Sequence, residues 1–461
     1  DCNMKEKKRS LWNIIESVEG DKVIWIIVLF LILFSIVCIF SSTSRLAMMG
    51  DATSRLDILK GQLFIVAAGL ALILICYNIK NLNFFRTASR YGFVISLVLL
   101  VFLDLHLKLG PIKSIQFNGA WRAISVFGFQ LHVFEVVKVA MVMYLAWAID
   151  AYHKKELKLK VSDLWKRIIY IYAPFLLVTV LVLPGSNSSA VFIGGVLFVT
   201  ILLGEINWKE MLLLLMTGIV ALGACVGIYF ATSNTAHPMF KRIGTGLARF
   251  DNTDWEAIYS DPASTREMKQ EAVDHLSQSY SALIAVKEGG LFGKGPGQST
   301  QRIVVPDYSE DYMFSFIVEE YGVFIGLFVV FLYVTLLARA SIVVRCCGKE
   351  TFAKLAVTGL SILISGQAML HILVNCDIGV MTGQTLPMVS HGNSAFICFS
   401  IAFGIMLAMS RIASRRIDQE TRKAESLMTP TGGSVSADTA QDDNDDDIID
   451  EEDGDSYDNE L

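Results

Sequence analysis

The residues best placed to do chemistry in this chain are three carboxylates, Asp307, Glu310 and Asp311. Ahead of them stand Gly293, Gly295 and Gly297, spaced by single residues with Pro296 among them, and then a piece at 303–306 that reads as extended. An apolar, helix-like run at 280–286 leads into the glycines. Directly after Asp311 the chain turns hydrophobic for a full membrane crossing. A flexible turn and an acidic cluster therefore stand at the mouth of a membrane helix, where chemistry at a bilayer surface is expected. The plainer reading makes the same cluster a solvated loop end.

A second pair lies inside an apolar run. Glu135 and Lys138 are three residues apart and share a helix face. Each alone would cost about 2.5–3.5 kcal/mol at a helix centre, so such residues pair or line a cavity. One reading is a structural ion pair near a helix end; the other is a polar cavity that receives a charged headgroup. Arg122, in the loop just before, is expected near the outer surface, where an anionic group could meet it.

The elements that must position these groups are membrane helices. The chain has 461 residues, 53% hydrophobic and only 18% charged, with a mean hydropathy of +0.50. Soluble domains carry about 25% charged residues. Apolar runs predict an all-α polytopic membrane protein of about ten spans, near 23–41, 62–79, 91–107, 132–149, 168–183, 189–204, 211–231, 312–337, 355–376 and 394–410. Strand-type alternation is not evident, which argues against a β-barrel. Lys and Arg cluster before the first span, in the 150–167 loop, after the eighth span and after the tenth, which predicts both termini on the cytoplasmic side. The expected organisation is a cytoplasmic N-terminus (1–22), a membrane domain (23–411) with a large extracytoplasmic loop (232–311), and a cytoplasmic tail (412–461). Within that loop, 264–281 reads as an amphipathic helix. The acidic run at 442–460 repels itself and is expected to be disordered.

Other patterns fail on inspection. The run Gly289-Gly290-Leu291-Phe292-Gly293-Lys294-Gly295 has Gly-Lys followed by Gly rather than Ser or Thr, so it is no phosphate loop. The histidines show no metal-binding spacing, and His132 and His371 read as ordinary polar residues near helix ends or packed faces. The eight cysteines are scattered and form no disulfide framework. The first apolar run lacks a small-residue cleavage site, so a cleaved signal peptide is not expected.

Three blocks resemble the SEDS family (shape, elongation, division and sporulation) of peptidoglycan glycosyltransferases. The first runs from Asn118-Gly119-Ala120-Trp121-Arg122 to Glu135 and Lys138. The second runs from Gly289 through Gly297-Gln298 to Asp311-Tyr312-Met313-Phe314 and Glu319-Glu320-Tyr321-Gly322. The third runs from Asn375 through Thr382-Gly383-Gln384-Thr385-Leu386-Pro387-Met388-Val389-Ser390 to Gly392-Asn393-Ser394. The likeness spans 21 to about 411 and leaves out the acidic tail. Val133-Phe134 replaces the family's Pro-Ser, His132 its Gln, Ala123 its Trp, and His391 and Asn393 a Tyr and a Gly.

The resemblance implies polymerisation of lipid II into β-1,4 glycan by a single inverting displacement. It makes Asp311 the catalytic carboxylate. Lys138, Glu135, Arg122, Lys294, Gly293, Gly295, Gly297, Asn375 and Ser390 become the substrate-binding set, with Lys138, Arg122 and Lys294 as pyrophosphate contacts. It fixes no cofactor, and Mg²⁺ or Mn²⁺ could neutralise the pyrophosphate. The implied partners are a class B penicillin-binding transpeptidase and other division proteins, not nucleic acid. The implied location is the bacterial cytoplasmic (inner) membrane. The opening Gly20-Asp21-Lys22-Val23-Ile24-Trp25 and the long tail are closer to the FtsW branch than to the RodA branch, favouring septal synthesis. A transporter or flippase of lipid-linked sugars and a non-catalytic division scaffold are the competing classes. The long outer loop ending in carboxylates favours surface chemistry over alternating access.

Overall fold

The computed structural model describes residues 19–42, 55–117, 120–206, 209–210, a few isolated positions between 212 and 261, 265–303, 308–378 and 382–428. It is a helical bundle, mostly of long apolar helices: α1 (Lys22–Ser42), α2 (Arg55–Asn78), α3 (Leu82–Asp104), α4 (Val133–His153), α5 (Asp163–Val182), α6 (Asn187–Leu203), the amphipathic α7 (Arg266–Gly289), the single turn α8 (Tyr308–Asp311), α9 (Met313–Cys346), α10 (Thr351–Asn375) and α11 (Asn393–Met428). Seven of those described are long and apolar enough to cross a membrane, and α6 is a shorter apolar helix. Most of the expected span at 211–231, most of the 232–264 stretch, Asp307 and the tail beyond 428 lie outside the described residues.

Helices α3 and α9 are longer than their apolar runs. The Arg86 side chain in the first turns of α3 reaches Asp150 on α4 at 2.5 Å, so the helix continues past the hydrocarbon with a paired cation. The amphipathic segment expected at 264–281 joins the apolar run after it into one helix, α7.

Between α3 and α4 the chain builds a small antiparallel sheet that the sequence reading lacks. Its strands are β1 (Lys108–Leu109), β2 (Ile112–Phe117), β3 (Ala120–Val126) and β4 (Phe129–His132), paired in chain order. Phe127 and Gly128, both at positive φ, form the two-residue turn from β3 to β4, the geometry that matches strand twist in a hairpin. The sheet carries Arg122 and leads directly into α4.

The deepest core lies on α4, α10 and α11. At the opposite end of the bundle from the sheet, Asp21 caps α1 by accepting from the Val23 and Ile24 amides, and it pairs with Arg339 at 2.7 Å. By chain contacts the protein divides into a compact unit through Ile417 and a second unit from Asp418.

Candidate functional site

Asp311 ends the single turn of α8, immediately before α9, and its backbone is held from three sides. Ser390 Oγ donates to the Glu310 carbonyl at 2.8 Å, and the His391 amide donates to the Ser309 carbonyl at 2.9 Å. Asn375, fully buried at the end of α10, donates through Nδ2 to the Asp311 carbonyl at 3.1 Å. Its Oδ1 accepts from the Ser315 amide at 2.9 Å. One turn earlier, His371 accepts from the Phe314 amide at 3.3 Å. Helix α9 has no local side-chain cap, so two side chains of α10 satisfy its first amides instead. The Asp311 carboxylate is half-buried. It stands beside this helix N-terminus, which favours negative charge, and faces Gly383. A Cβ built on Gly383 would lie 3.4 Å from Oδ2, so a side chain there would come into contact with the carboxylate.

Lys138 and Glu135 form the second centre. The Lys138 ammonium is 1% exposed and donates to Glu135 Oε1 at 2.7 Å, Gln367 Oε1 at 2.6 Å and Gln384 Oε1 at 3.0 Å. Three donors meet three acceptors. Gln384 Nε2 in turn donates to Ser189 on α6 at 2.9 Å. The pair therefore faces polar protein groups rather than lipid. Glu135 keeps one buried oxygen, Oε2, without a protein partner.

The two centres share a wall. Gly383 stands at the Asp311 carboxylate, and the next residue, Gln384, stands on Lys138. The segment 382–385 thus separates the acid from the cation by one residue of chain. Arg122 approaches from the sheet. Its Nε donates to the Gly185 carbonyl at 3.2 Å, beside the N-terminus of α6 that presents Ser189.

Lys294 and the glycines pack on the middle of α9, around Glu319 to Val323. Helix α9 breaks at Gly322 (φ 84°, ψ 170°), and the glycine loop fits into the break. The Lys294 and Gly295 amides donate to the Glu319 and Glu320 carbonyls at 2.9 Å, and the Val323 amide donates to the Gly290 carbonyl at 3.0 Å. A Cβ on Gly293 would sit 2.3 Å from the Glu320 carbonyl oxygen, and one on Gly322 would sit 2.3 Å from that of Leu291. Glycine is required here because backbone meets backbone. The Lys294 ammonium contacts Glu288, Thr300 Oγ1 at 2.9 Å and Glu319 Oε1 at 2.9 Å. Burial favours its neutral form, but Glu288 and Glu319 outweigh that and hold its pKa above the ordinary lysine value.

Glu319 and Glu320, both fully buried, are the residues the sequence reading left out of the site. Glu319 accepts from Ser299 Oγ, the Thr300 amide, Lys294 and Tyr308. Glu320 accepts from Ser41 Oγ on α1 at 2.6 Å and pairs with Arg302 at 3.4 Å. Two adjacent carboxylates inside an apolar run needed partners, and the Ser-Thr-Gln-Arg sequence at 299–302 supplies them.

Among the described residues, no group of three His, Cys, Asp or Glu side chains gathers to hold a metal ion. Asp311 and the nearby Glu310 offer the hard oxygen donors that Mg²⁺ or Mn²⁺ prefers. An ion here would take its remaining ligands from water and from an anionic substrate.

A family model described as a cell cycle protein, covering FtsW, RodA and SpoVE, matches residues 21–415. The chain belongs to this family. Curated relatives in it include the probable peptidoglycan glycosyltransferases FtsW of Hydrogenovibrio crunogenus and of Trichlorobacter lovleyi. The first is 29% identical over 79% of this chain and 82% of its own. The second is 27% identical over 85% of this chain and 93% of its own. Among solved structures, a chain of a peptidoglycan synthase complex that coordinates polymerization and crosslinking superposes with a TM-score of 0.61 at 17% identity, covering 86% of this chain and 98% of that one. RodA of Thermus thermophilus superposes with a TM-score of 0.53 at 19% identity, over the same shares. At these identities the superpositions establish the fold. The matched residues take in every predicted site residue of this chain, and FtsW/RodA/SpoVE membership extends from the Asp21 cap to Arg415.

Proposed function

We propose that this chain is a peptidoglycan glycosyltransferase that polymerises lipid II, acting in septal wall synthesis. The observation that carries the reading is the Asp311 carboxylate, half-buried at a helix mouth, fixed through its backbone and facing Gly383. Family membership and the FtsW relatives support it.

In the reaction, O4 of the acceptor GlcNAc attacks C1 of the donor MurNAc. The bond from C1 to the pyrophosphate oxygen breaks, and undecaprenyl pyrophosphate leaves with the electron pair. The α-linked donor becomes a β-1,4 product by one inversion. Asp311 takes the proton of the attacking hydroxyl, a role worth about 10²–10⁴-fold. Asp311 and Glu310 would hold a divalent ion, which would supply positive charge against the pyrophosphate. Lys138 meets the pyrophosphate by exchanging one of its carboxylate or amide partners for a phosphate oxygen, and Arg122 lies on the approach from the sheet. Lys294 and the glycines contribute through the Glu319–Glu320 clasp that holds α9 in its broken form.

The reading includes a location and a partner. The end of the bundle bearing Arg86, Lys154, Arg339 and Arg411 faces the cytoplasm of a bacterial inner membrane, following the excess of basic residues. The structural neighbour from a complex that coordinates polymerization and crosslinking supports a class B penicillin-binding transpeptidase as the partner. The test is lipid II polymerisation by the purified chain, with and without that partner. Glycan chains that require this protein support the proposal. Their absence in both arms, from folded protein, refutes it.

A further inference from the structure

His371 is a fully buried, chemically competent side chain with no role in the glycosyl transfer itself. The sequence presents it as an ordinary polar residue of a packed helix, but its two ring nitrogens join the two centres. The Gln384 carbonyl, 2.7 Å from Nδ1, can only accept, so Nδ1 carries the hydrogen. Nε2 is then a lone-pair acceptor, and the Phe314 amide donates to it at 3.3 Å. The ring is thereby fixed as one neutral tautomer by two backbone groups of opposite kind.

Those two groups belong to different parts of the site. Gln384 holds Lys138 through its side chain at 3.0 Å and follows Gly383, which faces Asp311. Phe314 opens α9, three residues after Asp311, and Asn375 on the next turn of α10 holds Asp311 and Ser315 in the same way. One imidazole therefore ties the wall carrying the Lys138 cluster directly to the first turn of α9, beside the carboxylate. An aliphatic residue there would leave the Gln384 carbonyl and the Phe314 amide without partners in a buried site.

We propose that His371 is a positioning residue for glycosyl transfer: by bridging the Gln384 carbonyl and the Phe314 amide, it holds the Asp311 carboxylate and the Lys138 cluster in register. This rests on the polymerase reading of the site. A displacement of about 1 Å in such a register can cost about 10²-fold in rate. The loss is expected in the chemical step, in kcat, more than in KM.

The experiment compares the full-length chain with its His371→Asn, His371→Gln and His371→Ala variants in two measurements. Steady-state lipid II polymerisation is expected to show kcat lowered about 10- to 100-fold in His371→Ala with KM within about twofold of wild type. His371→Asn, which can still donate to the Gln384 carbonyl, and His371→Gln, which can still accept from the Phe314 amide, should each recover part of the loss. Hydrogen–deuterium exchange should show the amides of 311–316 exchanging faster in His371→Ala than in wild type. Wild-type kcat in His371→Ala, or exchange at 311–316 that does not change, overturns the proposal. So does a loss of rate that appears wholly in KM. If wild-type protein makes no glycan, the polymerase reading fails by itself, and the exchange result still decides whether His371 holds the Asp311 turn. If His371→Ala does not fold, the two conservative variants decide. Wild-type kcat in both then overturns the proposal, and a lowered kcat at unchanged KM in either supports it.

Discussion

Lys138 places its three N–H donors on Glu135, Gln367 and Gln384 within 3.0 Å, so removing it strands a buried carboxylate that already has one unpartnered oxygen. Breaking a buried pair from one side costs roughly 3–5 kcal/mol. Lys138→Met should therefore lower the melting temperature markedly. Glu135→Gln combined with Lys138→Met should regain part of the loss, because no charge remains uncompensated. Thermal unfolding in detergent measures both, and equal melting temperatures for wild type and Lys138→Met would contradict the account. Glu135, Lys138 and Asp311 were legible in the sequence because ionised groups in or beside apolar runs are costly and need a reason. His371 was not, because a neutral polar side chain in a helix gives no such signal. Its partners lie 57 and 13 residues away in sequence.

At the scale of elements, the glycine loop and the break in α9 form one joint. Gly293→Ala or Gly322→Ala would drive a Cβ to 2.3 Å from a carbonyl oxygen and should leave little folded protein. Gly297, also at positive φ, has nothing within 4 Å of its added Cβ, so Gly297→Ala should cost only about 1–2 kcal/mol for the left-handed backbone. Folded yield and thermal unfolding of the three variants check this. A Gly293→Ala protein as stable as Gly297→Ala would show that the close approach does not hold the joint. The long helices were readable from about 20 apolar residues apiece. The β1–β4 sheet escaped because its strands are only two to seven residues long and adjoin membrane runs that dominate any hydropathy pattern. The clasp of Glu319 and Glu320 by 299–302 depends on a helix break that local propensity does not mark, since Gly322 is one glycine among several in these runs.

The whole molecule is tied at the end opposite the site by Glu350. It meets Lys154 at 3.3 Å, Arg86 at 3.6 Å and Arg416 at 3.2 Å, so it links α3, α4 and α11 to the turn between α9 and α10. Burial pushes its pKa up, but Lys154 and Arg86 outweigh that and leave it below the ordinary glutamate value. A depressed folded pKa stabilises above the unfolded value, about 4.3, and the contribution is lost as pH falls through the folded one. Wild type should therefore melt above Glu350→Gln at pH 7, with the gap closing below about pH 4. A gap that persists unchanged in acid would contradict the assignment. The activity of the molecule rests on one carboxylate at the other end, and its most direct test is lipid II polymerisation by Asp311→Asn beside wild type and Glu310→Ala, in protein shown to be folded. The asparagine keeps the shape and removes charge and basicity. The account predicts that Asp311→Asn forms no glycan chains, while Glu310→Ala, whose 44% exposed side chain is one residue away, keeps substantial activity. Polymerisation by Asp311→Asn at near wild-type rate would contradict it.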